Sequence, residues 1–401
     1  MAETRTAKSE DGLTALLLQP RAIRWFWGWS PPPLGMLYMA AAAPGTIIRD
    51  CAQTGEDEAA VLDEVRPDIV GVTAFTSTRH DALAVLEAAK ARGARTVLGG
   101  PHVASPRIAR QIAEHYPFVD YIVRGDGERA WARLVAGEEL PRISLDYCAD
   151  LDALPIPDWS AVDIASYPPR DSGIHHGVDL ETVPRISVVF SRGCIGRCQF
   201  CAAWRRPARR HSPAYIRQML EPLAALGIRH LCIDDDCWAM DEDEALEVCG
   251  ILDDLGFVWQ AETRCDLLTP GLADAMADAG CYQVCVGLEH GSVRMREAMG
   301  KALDPTVVLA ARAAAAHAGL RFSALMLEGY PGETQADRDE AASFMAQLAP
   351  DNASSFGGTI LLPHTWLYET ERQAGRVSDD IWLGPGRHLI ATPDGPQMMG
   401  E

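Results

Sequence analysis

The sequence has no surplus of positive charge. Its 36 lysines and arginines face 56 aspartates and glutamates, a formal net charge of -20 over 401 residues. Such a field repels phosphate backbones and anionic lipid unless a local basic patch overrides it, so no nucleic-acid and no membrane partner is expected. Long apolar runs are also missing, and none approaches the roughly 20 residues that span a bilayer. The opening MAETRTAKSEDG lacks the charged, apolar and small-residue order of a secretory signal, and a cytoplasmic location is expected. Complete disulfide pairing is excluded by the odd number of cysteines, eleven. In a reducing compartment they are thiolate ligands or small buried hydrophobes. The remainder is ordinary for a folded chain. Hydrophobic residues make up 48% and charged residues 23%, which fits neither disorder nor a fibre, and the length suits two domains or three.

The first part alternates strands and helices. Apolar runs at 13–20, 46–52, 68–75, 95–100 and 120–128 read as strands, separated by helical patterns that end at signals such as Pro67 and Gly93. Single helices between strands imply a doubly wound parallel sheet with ligands at its carboxyl ends; this predicts an N-terminal α/β domain over 1–140. Residues 141–184 are proline-rich and aperiodic and read as a linker. The alternation resumes with ISVVFSRG, RHLCIDDDCW, FVWQAETRCDLL, CYQVCVGLEHG, LRFSALMLEGYPG and SSFGGTILLP. Six strands with intervening helices predict a partial (β/α)6 barrel of the TIM type over 185–368, whose chemistry lies at the strand carboxyl ends. Asp304, Pro305 and Gly319 bracket its best-marked helix. Residues 369–401 read as a short tail.

The strongest chemical signal is Cys194-Ile-Gly-Arg-Cys198-Gln-Phe-Cys201, in a loop directly after the first of these strands. Three thiolates so spaced can hold three irons of a cubane cluster and leave the fourth iron open. A structural zinc site completed by His211 is the alternative.

These residues resemble the radical S-adenosylmethionine (SAM) superfamily, with Phe200 as the aromatic residue before the last cysteine, and the resemblance runs over about 185–368. It implies a [4Fe-4S] cluster on Cys194, Cys198 and Cys201, and SAM chelated by the open iron. One electron then cleaves SAM to methionine and a 5′-deoxyadenosyl radical. The family places SAM contacts at strand ends that here carry Asp234 and Asp235 for the amino group, Arg264 for the carboxylate, Glu289 for the ribose, and Gly329 and Gly332 for the adenosine. A solvated acidic loop and a structural salt bridge are the alternatives for the aspartates and for Arg264. Cys237 and Cys265, near strand ends, and Tyr330, in the fifth loop, are candidate catalytic residues. The other cysteines make no second cluster spacing. Arg205, Arg206, Arg209 and Arg210 form a basic run that fits an anion or a salt-bridged surface.

The first domain is similar to the cobalamin-binding domains that precede one radical SAM subgroup, in PPPLGMLYMAA, PDIVGVTAFTST, LGGPHVAS, VDYIVRGDGE and the linker DLDALPIPDW. The resemblance implies corrinoid contacts at Thr73, Ser77, Gly99 and Gly100. No Asp-x-His-x-x-Gly follows the first strand, so cobalamin is expected base-off. Trp25, Phe26, Trp27 and Trp29 read as an interdomain core. The resemblance makes cobalamin-dependent C-methylation of a small natural product the leading reaction, with an external donor such as flavodoxin or ferredoxin. Cobalamin-independent dehydration, epimerisation or rearrangement of a sugar-like substrate is the rival, and a corrinoid-binding sensor without turnover is a third reading.

Overall fold

The computed structural model describes residues 13–22, 31–203, 207–355, 358–392 and 396–399. The chain divides into two compact units, one of residues 1–167 with 379–387 and the terminal residue, the other of 168–378 with 388–400.

The first unit is built on six parallel strands: Ala15–Gln19, Ile47–Asp50, Ile69–Thr73, Arg95–Gly99, Tyr121–Gly125 and Ile143–Asp146. Their spatial order is second, first, third, fourth, fifth, sixth. The central strands are buried on both faces, with Leu16, Leu17 and Leu18 all fully enclosed, which is why their sequences are unbroken apolar runs. Strand order reverses beside the first strand, which puts the switch point at the carboxyl ends of the first and third strands. The sixth strand falls inside the expected linker. It is an edge strand whose Leu145 is exposed, so its four residues carry no burial period that a sequence pattern could reveal. Trp25, Phe26, Trp27 and Trp29 lie outside the described residues.

The second unit holds six parallel strands in chain order: Arg185–Val188, His230–Ile233, Val258–Thr263, Cys281–Glu289, Arg321–Met326 and Asn352–Ser355. Helices follow the expected alternation, with a further short helix, Val293–Ala298, between the fourth and fifth strands. Asp304 caps Pro305–Ala318 by accepting from the Thr306 N–H at 2.7 Å, and Gly319 ends it in the left-handed region. The sixth strand ends at Ser355, so Thr359–Ile360, read from sequence as its continuation, belongs instead to a small antiparallel sheet with His388–Ala391 and Gln397–Met399. The amino-terminal end of the second sheet is closed by the hairpin Ile174–His175/Val178–Asp179: Leu180, Val258 and Tyr282 form an apolar cluster there, and His175 stacks on Tyr282 at 4.6 Å.

The stretch expected as a tail is folded. Asp379–Arg387 belongs to the first unit, where the buried Arg79 guanidinium donates to the carbonyls of Trp382 at 2.9 Å, Gly384 at 3.2 Å and Gly386 at 2.7 Å. Arg387 pairs with Asp81 at 2.7 Å. A guanidinium has five donors in a fixed fork, and carbonyls of an irregular segment can satisfy it without any periodic pattern. Hence composition alone read the segment as a tail.

Candidate active site

The three-cysteine loop leaves the first strand of the second sheet and is held by backbone and carboxylate contacts. Asp235, fully buried, accepts from the Phe190 N–H at 2.7 Å and the Ser191 hydroxyl at 2.6 Å, and Asp236 accepts from the Gly193 N–H at 2.8 Å. Burial raises the Asp235 pKa to about 7. Further along, the Gln199 N–H donates to the Met299 carbonyl, and the Leu367 N–H donates to the Gln199 carbonyl. Gly196 lets the loop close: a Cβ there would lie 3.3 Å from the Cys194 sulfur, 3.8 Å from the Cys198 sulfur and 2.9 Å from an Arg264 nitrogen. The two sulfurs and the guanidinium thus surround one backbone position. Cys198 is buried, while Cys194 and Cys201 are partly accessible. The Cys237 thiol hydrogen-bonds Cys194 and lowers its pKa, with help from the Gly196 N–H and the Arg264 charge, while burial pushes the Cys201 thiol up to about 11. Among the described residues no three His, Cys, Asp or Glu side chains converge on a single ion. A cubane cluster takes each thiolate on a different iron, and three thiols on one stitched loop fit that demand. His211, the zinc alternative's fourth ligand, is stacked on Tyr215 at 3.9 Å.

The other strand ends gather charge around this loop. Arg264 makes two hydrogen bonds to Asp266, at 2.9 and 2.8 Å. Glu289 pairs with Lys301 at 2.7 Å, both largely buried. Gly287 makes room for that pair, because a Cβ on it would come within 2.4 Å of both the Lys301 nitrogen and a Glu289 oxygen. Lys301 was not singled out from sequence. Its signal was scarcity, since the chain has only three lysines, at 8, 90 and 301. His290 meets Glu333 at 3.2 Å in the loop that carries Gly329 and Gly332. Phe200 is half-buried. Of the catalytic candidates, Cys237 engages Cys194, Cys265 is buried at the start of a helical turn, and the Tyr330 hydroxyl donates to the Ala298 carbonyl at 3.4 Å. In the basic run, Arg210 pairs with Glu244 at 2.6 Å and with Asp241, whereas Arg205 and Arg206 lie outside the described residues.

One face of the second sheet is mostly polar, with Val258 and Leu325 as exceptions. Parallel register sets Ser187, Cys232, Gln260, Gln283 and Arg321 in one row. Two residues further on, Glu262, Cys285, Ser323 and Asn352 form the next row on the same face, and Asp234, just past the second strand, lies near Glu262. The opposite face is apolar and buried, with Leu231, Ile233, Trp259, Ala261, Val284 and Phe322. The first row is internally bonded. Gln283 donates to Gln260 at 2.9 Å, Gln260 donates to the Cys232 sulfur at 3.3 Å, and the Cys232 thiol donates to Asp234 at 2.9 Å. Glu262 is solvent-accessible. The protein enclosing it and the neighbouring Asp234 and Glu289 carboxylates nevertheless raise its pKa to about 7.

In the first unit, Thr73 is half-buried at the end of the third strand and Phe75, two residues on, is exposed beside the switch point. Gly99 is half-buried and a Cβ there would make an ordinary contact, 3.8 Å, with the Val123 carbonyl oxygen, whereas Gly100 has φ 96° and packs so closely on Thr73 and Ala74 that a Cβ would lie 2.7 Å from the Ala74 carbonyl oxygen. Ser77 is buried, and its carbonyl accepts from Arg387 at 3.0 Å. His102, the histidine nearest this edge in sequence, is buried edge-on against Trp382 at 5.9 Å, with Nδ1 3.3 Å from the Thr76 hydroxyl. An exposed aromatic and a smooth glycine edge suit the apolar rim of a corrinoid, and this histidine is not presented as a cobalt ligand.

Residues 188–345 match the radical SAM superfamily and residues 29–135 match the B12 binding domain. The chain is 29% identical over 390 residues to an uncharacterized methyltransferase of Pyrococcus horikoshii, covering 88% of this chain and 82% of that protein. It is 24% identical over 376 residues to the cytidylyl-2-hydroxyethylphosphonate methyltransferase of Streptomyces wedmorensis, covering 79% and 69%. The fold is similar to the radical SAM methyltransferase TsrM of Kitasatospora setae, solved with tryptophan substrate and a SAM analogue, at TM-score 0.70 and 19% identity, covering 91% of this chain and 77% of that one. Fold and cysteine loop together define a radical SAM enzyme. A radical SAM domain and a B12 binding domain thus stand in one chain, and the cofactors of that pair are a [4Fe-4S] cluster, SAM and cobalamin. Among the described residues no helix is long and apolar enough to cross a membrane.

Proposed function

We propose that this protein methylates an unactivated carbon of a small natural product in the cytoplasm, drawing electrons from an external flavodoxin or ferredoxin. The observation that carries the reading is the stitched three-cysteine loop at the carboxyl end of a parallel sheet, in one chain with a B12 binding domain. When bound, the reduced cluster supplies the electron that turns SAM into methionine and a 5′-deoxyadenosyl radical, and cobalamin carries the methyl group. Cys194, Cys198 and Cys201 hold the cluster, and Asp235 holds their loop. Arg264 offers its guanidinium to the methionine carboxylate beside Gly196, and Asp234 offers a carboxylate to the amino group. Lys301 and Glu289 fix the charge beside the ribose position, Phe200 flanks the cluster, and Gly329 and Gly332 leave room for adenosine. Thr73, Ser77, Gly99 and Gly100 would hold the corrinoid edge, and no histidine of a cobalt-binding motif follows the first strand. Cys237, Cys265 and Tyr330 are the nearest candidates to pass a hydrogen or a proton.

Protein purified anaerobically should be brown and should form 5′-deoxyadenosine with SAM and reductant. Cys194→Ala, Cys198→Ala and Cys201→Ala should each lose both properties. Colourless protein carrying stoichiometric zinc would overturn the assignment.

A further inference from the structure

The interior of a TIM-type barrel is ordinarily filled by bulky branched residues. In the second unit that face carries serine, cysteine, glutamine, asparagine, Glu262, Arg185 and Arg321 instead, with Val258 and Leu325 as apolar exceptions, while most apolar residues are on the other side. Asp234, just past the end of the second strand, is near enough to Glu262 on the third for like charge to act between them, an arrangement that costs stability unless a cation lies nearby. None of the nearby cations bonds Glu262: Arg264 pairs with Asp266, Lys301 with Glu289, and Arg185, whose charge reaches Asp234 and Glu262, with Asp171. Among the described residues Glu262 has no side-chain partner. An independent sign comes from Ser187 on the same face beside Cys232: it is 6% exposed, and its hydroxyl has no hydrogen-bond partner among the described residues. A buried hydroxyl without a partner is costly and points to an absent group that completes it.

We propose that this polar face receives a small, hydroxyl-rich substrate bearing an ammonium group, with Glu262 as its counter-charge and the Gln260–Gln283 row reading its hydroxyls. The inference rests on the radical SAM reading above and deepens it by naming a substrate class. A carboxylate facing an ammonium makes a charge-assisted hydrogen bond, and side-chain amides are both donors and acceptors. With Asp234 given to the SAM amino group, an anionic substrate meets the Glu262 carboxylate and is disfavoured.

The test uses the full-length, cluster-reconstituted protein at pH 7 with three probes of one size: glucosamine, glucose and glucuronate. Binding is followed by ligand-observed NMR, and 5′-deoxyadenosine formation is measured in parallel. Glucosamine should bind at least about tenfold more tightly than glucuronate, and Glu262→Gln should remove most of that preference. The cluster absorbance of the variant verifies that it has folded. The loss should fall on glucosamine and not on SAM. Equal binding of all three probes, or none, would overturn the proposal. So would a Glu262→Gln variant that weakens SAM alone, since the carboxylate would then serve the cofactor's own ammonium. Glu262-dependent glucosamine binding without any 5′-deoxyadenosine would support this inference while overturning the catalytic reading.

Discussion

Glu289 adopts a φ of 67°, a left-handed conformation that a residue with a side chain enters at a cost. The surroundings hold it there. Its carboxylate meets Lys301 at 2.7 Å, and the Leu327 N–H donates to its carbonyl at 2.8 Å. Removing one partner of a buried pair strands the other charge. Lys301→Met should therefore destabilise the protein by about 3–5 kcal/mol, measured by denaturant unfolding. Adding Glu289→Gln to it should restore part of the loss. A double variant worse than the single would show that the pair does not couple. At this scale the spacing of the cysteines was legible as one loop, and the structure brings Cys194, Cys198 and Arg264 around the single backbone position of Gly196. The Lys301 partner was not legible, because nothing in a linear chain connects positions 289 and 301 across an intervening helix.

Among elements, the helix Pro305–Ala318 was readable from end to end, since its cap, first-turn proline and terminal glycine are local signals. Strand existence in both sheets was equally legible from apolar runs. What escaped were pieces whose stability is not local: the edge strand Ile143–Asp146, the hairpin under the second sheet, and the segment Asp379–Arg387. The last is fastened by Arg79, 1% exposed, whose charge also reaches the Thr76 carbonyl at 2.8 Å. Burial pushes the Arg79 pKa down to about 10, so the guanidinium remains charged at neutral pH. Arg79→Leu leaves several buried carbonyls without donors, at a cost of about 1–3 kcal/mol for each one that water cannot reach. The variant should lose stability and expose the segment, so that trypsin cuts after Arg376 or Arg387 faster than in the wild type. Unchanged cleavage rates would mean that the segment is held by Trp382 packing instead.

For the whole molecule, the joint presence of two cofactor domains makes the reaction type measurable before any substrate is known in full. One SAM supplies the radical in a cobalamin-dependent methylation and a second supplies the methyl group, so each turnover consumes two. With a substrate accepted by the polar face of the second sheet, 5′-deoxyadenosine and S-adenosylhomocysteine should accumulate in about equal amounts, and the product should gain one carbon. A dehydration, epimerisation or rearrangement leaves the carbon count unchanged and makes no S-adenosylhomocysteine. The first unit adds a second readout. Its switch-point edge presents Phe75 and the Gly99–Gly100 turn, and its nearest histidine in sequence is locked against Trp382. Retained corrinoid should accordingly show a base-off absorption spectrum. Phe75→Asp should lower corrinoid content and S-adenosylhomocysteine together while sparing 5′-deoxyadenosine formation, because the cysteine loop stands in the other unit. Full conversion of substrate by protein that carries no corrinoid, with none added, would reverse the choice of methylation and leave the first unit a packing role alone.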